Sequence, residues 1–67
     1  MRIVLQNRKS MLYVKSVNEW TPDADHATDF QQLMRAIDFV WTANLKNLDV
    51  LMLFGQPGYD IRIPASS

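Results

Sequence analysis

Seven apolar residues recur at helical spacing through the middle of the chain: Phe30, Leu33, Met34, Ile37, Trp41, Leu45 and Leu48. Separations of three and four keep side chains within one arc of a helix, whereas strict alternation would mark a strand. The stripe runs directly into Val50-Leu51-Met52-Leu53-Phe54, five apolar residues closed by Gly55. A continuous apolar run of that length reads as a strand buried on both faces. A helix that needs cover, followed by a strand that needs cover twice, points to an α+β domain.

Length limits what such a domain can bury. The chain has 67 residues, enough for one domain, and a chain of this size hides only about 60% of its unfolded surface. It has no cysteine, so neither a disulfide nor a thiolate ligand or nucleophile is available. That composition suits a reducing cytoplasm, the expected location. Small unstapled cores rely on dense packing or on self-association. Seven basic residues balance seven acidic ones, whereas dedicated nucleic-acid binders carry a basic excess or stripe. Ile3-Val4-Leu5 is too short for a signal-peptide core, and no run approaches the roughly 20 apolar residues of a membrane span.

Residues 2–6 and 11–17 read as the first two strands, joined across Asn7-Arg8-Lys9-Ser10. Thr21-Pro22-Asp23 has the chemistry of a helix start, and Thr28 with Gln31 has capping-box spacing. The favoured organisation is a turn at Pro22, a short extended piece over residues 27–30, and the main helix over residues 31–45. One long helix from Pro22 is the alternative. Asp49 separates helix from strand. Gly55-Gln56-Pro57-Gly58 fits a type II turn with Pro57 second and Gly58 third. Residues 59–63 then alternate with Tyr59, Ile61 and Ile63 on one face, Pro64 ends the strand, and residues 64–67 read as a frayed tail.

Tyr13-Val14-Lys15-Ser16, Glu19-Trp20-Thr21, Ala27-x-x-Phe30 and Ala36-Ile37 together resemble a loose pattern of small uncharacterised bacterial and phage-associated single-domain proteins. The resemblance spans residues 13–54. It implies that the tryptophan closes a strand, that the Ala-x-x-Phe piece returns as another, and that a helix follows. It implies no activity. This chain departs from the pattern at Gln31-Gln32, where a Ser or Thr cap is common.

Candidate chemistry is sparse. Asp23, Asp25, His26 and Asp29 form the one cluster of ligand-type side chains. An EF-hand loop starting at Asp23 would need glycine at its sixth position and glutamate at its twelfth, where Thr28 and Met34 stand. The expected role is an acidic, solvated turn, with no metal and no cofactor. His26 is the one histidine and no nucleophile motif accompanies it; Gly55 and Gly58 are spaced for a turn and not for a phosphate loop. No enzyme activity is expected. Arg8, Lys9, Tyr13 and Lys15 form a weak nucleic-acid candidate, since cations meet phosphates and tyrosine can stack on a base.

Phe39 falls about half a turn away from the stripe. Ala36, Val40 and Ala43 flank it, giving a second apolar strip of small residues. The strip Ala36, Phe39, Val40 and Ala43 is the expected interaction surface, most simply of a homodimer, with intramolecular cover by the hairpin arms as the competing use. The sequence thus predicts an α+β fold, strand-strand-short strand-helix-strand-strand. Its mostly antiparallel sheet carries one principal helix on one face. The expected function is a non-enzymatic, self-associating interaction module, with weak nucleic-acid binding as the alternative.

Overall fold

The computed structural model describes residues 1–16, 18–56 and 58–66. Along the chain run β1 (Arg2–Asn7), β2 (Tyr13–Ser16), β3 (Glu19–Thr21), a 3-10 turn (Ala24–His26), α1 (Leu33–Thr42), β4 (Leu48–Leu53) and β5 (Ile61–Pro64). The sheet order is β3-β2-β1-β4-β5 with each neighbouring pair antiparallel, and α1 packs on one face. The fold is α+β, as the sequence predicts.

The central pair follows from composition. Ile3, Val4 and Leu5 are consecutive, so β1 must bury both of its faces, and β4 does the same with Leu48, Val50 and Leu51. Their register sets Ile3 opposite Met52, Val4 opposite Leu51 and Leu5 opposite Val50. On the helix side, Ile3, Leu5, Val14, Leu48 and Val50 form the main core with Ala36 and Val40. On the other side, Val4 and Leu51 pack with Ala27, bordered by Tyr13 and Leu53.

The helix presents a different face from the one its periodicity suggests. Ala36 is fully buried and Val40 nearly so, with Leu33, Ile37 and Phe39 half-buried around them. Trp41 is 77% exposed and Met34 63%. The stripe spans residues 30–48, but only ten of them are helical. Phe30 precedes the helix, and Leu45 and Leu48 follow it. Left-handed backbone at Gln31 (φ 68°), Asn44 (φ 55°) and Asn47 (φ 60°) breaks the phase at both ends, and asparagine tolerates that conformation better than most residues. Within the true helix, small Ala36 lets α1 approach a sheet surface already filled by isoleucine, leucine and valine.

The third strand is Glu19–Thr21 and not residues 27–30. Trp20 lies within it, half-buried against the main core. Residues 28–30 nonetheless run beside β1 and β2. Phe30 N donates to Ile3 O at 2.8 Å, and Thr28 N donates to Val14 O at 3.2 Å. Asp29 Oδ1 accepts from Ile3 N at 3.0 Å and from Gln31 N at 2.9 Å, so this side chain replaces ladder acceptors and holds the left-handed Gln31. Those bonds hold the carboxyl below its ordinary pKa, chiefly through Ile3 and then Gln31.

The second strand begins at Tyr13, because Met11 takes left-handed backbone (φ 64°) in the turn; the expected Val17 terminus lies outside the described residues. Tyr59 N donates to Gln56 O at 3.2 Å and Gly58 has φ 89°, placing Gly58 third in a turn whose Pro57 lies outside the described residues. β5 includes Pro64, and Ala65 and Ser66 are not frayed: both main-chain N–H groups donate to Leu48 O, at 2.9 and 3.1 Å. Ser67, the rest of the expected tail, lies outside the described residues. With Leu48 bonded to Ala65, antiparallel alternation turns the main chain of Pro64 and Arg62 outward. Proline therefore stands where its missing donor would face solvent, a common way to blunt an edge strand.

Candidate functional site

The outer flank of α1 is the most unusual surface of the molecule. Met34 and Trp41 are two turns apart on one side of the helix, so they lie in line. Both are exposed, although they are among the largest apolar side chains. Ile37 lies between them and is half-buried. Exposed Arg35 and Asp38 follow on the neighbouring flank, and the described ion pairs include neither. Beside Trp41 a hollow of about 240 Å³ is lined by Val40, Asn44, Leu45, Lys46, Ala65 and Ser66. The flank therefore overlooks the end of β5.

The strip expected from sequence lies elsewhere. Ala36 and Val40 sit under the helix against the chain's own sheet, so in this fold they are not a surface. Phe39 is half-buried and packs on Phe30, ring centroids 5.2 Å apart and planes at 54°, a tilted pairing that aromatic quadrupoles favour. Ala43 is half-buried at the helix end. Phe39 thus packs within the chain, on Phe30 and against the main core, and not under a hairpin arm.

The nucleic-acid candidates are not brought together as one patch. Arg8 is turned into the chain. It donates to Asp49 Oδ1 and to the main-chain oxygens of Leu48 and Ser66. Lys9 is exposed in the β1–β2 turn, where its N–H donates to Asn7 Oδ1 at 2.8 Å. Tyr13 is half-buried on the sheet face away from α1, and Lys15 is exposed on β2 beside the irregularity between Val14 and Ser16.

That second face carries the residue that sequence reasoning passed over. The registers align Pro64, Asp49, Gln6, Tyr13 and Thr21 in one row across all five strands. Asp49 is 1% exposed. Its Oδ2 accepts from Arg62 Nη1 at 2.7 Å, while Arg62 Nη2 donates to Gln6 Oε1 at 2.7 Å. Gln6 Nε2 in turn donates to Met11 O at 3.1 Å. Burial alone would raise the Asp49 carboxyl; the hydrogen bonds from Arg62 and Arg8, with their charges, outweigh it and hold the pKa below the ordinary value. The available signal was a lone acid between Leu48 and Val50, inside a run otherwise fit only for a core. The network fastens β1, β4, β5 and the C-terminal residues together, which is a structural task.

In the acidic cluster, Asp23 caps the 3-10 turn through Asp25 N at 2.9 Å. His26 is exposed, with Nδ1 3.6 Å from Asp23 Oδ2. Asp29 is committed to the main chain as described. Among the described residues no three ligand-type side chains converge, and no helix is long and apolar enough to cross a membrane. Comparison with known proteins returns no match, whether to a family model, a curated protein or a solved structure.

Proposed function

We propose that this protein is a non-enzymatic interaction module that works by self-association through the outer flank of α1. The observation that carries the proposal is Trp41, exposed in line with Met34 while the opposite side of the same helix fills the core. A helix needs one apolar face to pack on a sheet, and this one has two. Scattered exposed apolar residues are ordinary on a protein surface, but tryptophan aligned with methionine beside a hollow has the composition of an interface anchor.

Covering Met34 and Trp41 of both copies would contribute about 1.5–3 kcal/mol per side chain, set against an association cost of about 4–15 kcal/mol. For four side chains that is about 6–12 kcal/mol, so the affinity is micromolar only at the favourable end of the balance and millimolar or weaker otherwise. The cytoplasmic setting expected from the cysteine-free sequence fits such a module. Sedimentation equilibrium from micromolar to millimolar concentration tests the proposal. The expected result is a mass rising from one chain to two, and a folded monomer for Trp41→Ser. A single-chain mass at millimolar concentration overturns it.

A further inference from the structure

We infer that two copies dock α1 against α1 in antiparallel fashion, about a two-fold axis passing between Ile37 and Asp38. The inference rests on the proposed self-association and adds the pairing that serves it. Met34 and Trp41 lie equally far from that axis along the helix, so the axis sets each Met34 against the other copy's Trp41. The contact is sulfur on an aromatic ring, a favourable one. Both ends of the apolar line are covered at once, and the interface meets its own copy, as a closed dimer requires.

The charges select the direction. Arg35 and Asp38 lie on the same flank of the Met34–Trp41 line. In an antiparallel two-fold pair, like flanks face each other. Arg35 of one copy then falls about 3 Å along the axis from Asp38 of the other, at 1.5 Å rise per residue, within reach of an ion pair made twice. Ile37, on the other flank, meets its own copy beside the hollow that adjoins Trp41. A parallel pair would instead set Arg35 and Asp38 against the Ile37 flank, placing charges on an apolar side chain. The unpaired state of Arg35 and Asp38 among the described ion pairs agrees with a partner that supplies their complement.

The absence of native cysteine allows a direct test. Asp38→Cys puts a thiol beside the axis, and Asp25→Cys puts one on an exposed turn on the opposite side of the sheet. Under glutathione disulfide, two Asp38→Cys thiols should join while glutathione is reduced, giving a covalent dimer; Asp25→Cys should remain single-chain. Arg35→Asp should weaken self-association at least tenfold, and Arg35→Asp with Asp38→Arg should restore it, with amide NMR spectra showing each variant folded. If wild type dimerises but Arg35→Asp has no effect and Asp38→Cys cross-links no faster than Asp25→Cys, this pairing is overturned while self-association stands. If wild type binds only a foreign helix, or remains a monomer at millimolar concentration, pairing and self-association fall together.

Discussion

Arg62 closes over Asp49 from the neighbouring strand, Nη1 lying 2.7 Å from Oδ2, and the carboxylate it covers is almost wholly removed from water. The same guanidinium reaches Gln6, so one side chain on edge strand β5 ties β5, β4 and β1 into a unit. Asp49→Ala should cost about 2–4 kcal/mol, somewhat less than a fully buried pair because both arginines are partly hydrated. Arg62→Ala should cost less, since Arg8 still neutralises the carboxylate. Urea denaturation of both variants checks the order; a neutral Asp49→Ala would mean that the network merely decorates the sheet.

Two carboxylates give the acid limb of stability its sign. Asp29 and Asp49 both have pKa values lowered in the folded chain from the ordinary 3.8. The unfolded state therefore binds protons first as pH falls. Their contribution is fully present above the unfolded value and is lost as pH drops below it through the folded values. Stability measured in urea should be flat near neutrality and fall below about pH 4. Asp29→Asn, which keeps an acceptor oxygen and removes the charge, should lower stability at neutral pH and make that fall shallower. An acid limb of unchanged steepness would remove Asp29 from this account.

The helix phase sets a third expectation. Val40→Ala removes two buried methyl groups and should cost about 1.5–3 kcal/mol, whereas Trp41→Ala, on the exposed side, should change monomer stability by less than about 1 kcal/mol. Denaturation at concentrations low enough to keep the chain single separates this from any effect on association. A large loss from Trp41→Ala would turn the helix back by about 100°.

This reversal shows what the sequence could carry. The double burial of β4 was legible in part: Val50 and Leu51 are buried on opposite faces, but the strand begins at Leu48, takes in Asp49, and ends at Leu53, leaving Phe54 exposed beyond it. The helix phase was not legible. Leu33 and Ile37 fit either face, and the choice between Trp41 and Val40 depends on how closely the helix lies on the sheet. Ala36 decides that, but an alanine carries no mark of burial. The exposed pair Met34 and Trp41 was visible only as part of a core stripe. Asp49 was legible as an oddity and not as a network centre, because its partners Arg8 and Arg62 are distant in sequence and meet only once β1, β4 and β5 pair.

Phe39 provides the sharpest remaining test. It lies half-buried on Phe30, and both rings pack against the main core. The tilted geometry implies a pair energy of about 0.5–1.5 kcal/mol beyond burial, measurable as the coupling in a double-mutant cycle of Phe30→Leu and Phe39→Leu. Phe39→Asp should lose the ring pair and set a carboxylate at a half-buried position beside Phe30, leaving a domain this small barely stable even with Arg35 one turn away on the helix. Trp41→Asp should fold normally and stay monomeric, because water already reaches that position. Circular dichroism and sedimentation of the two variants side by side give the answer. A folded, monomeric Phe39→Asp would move the contact between chains back to the strip of Ala36, Phe39, Val40 and Ala43, and would reject the helix orientation described above.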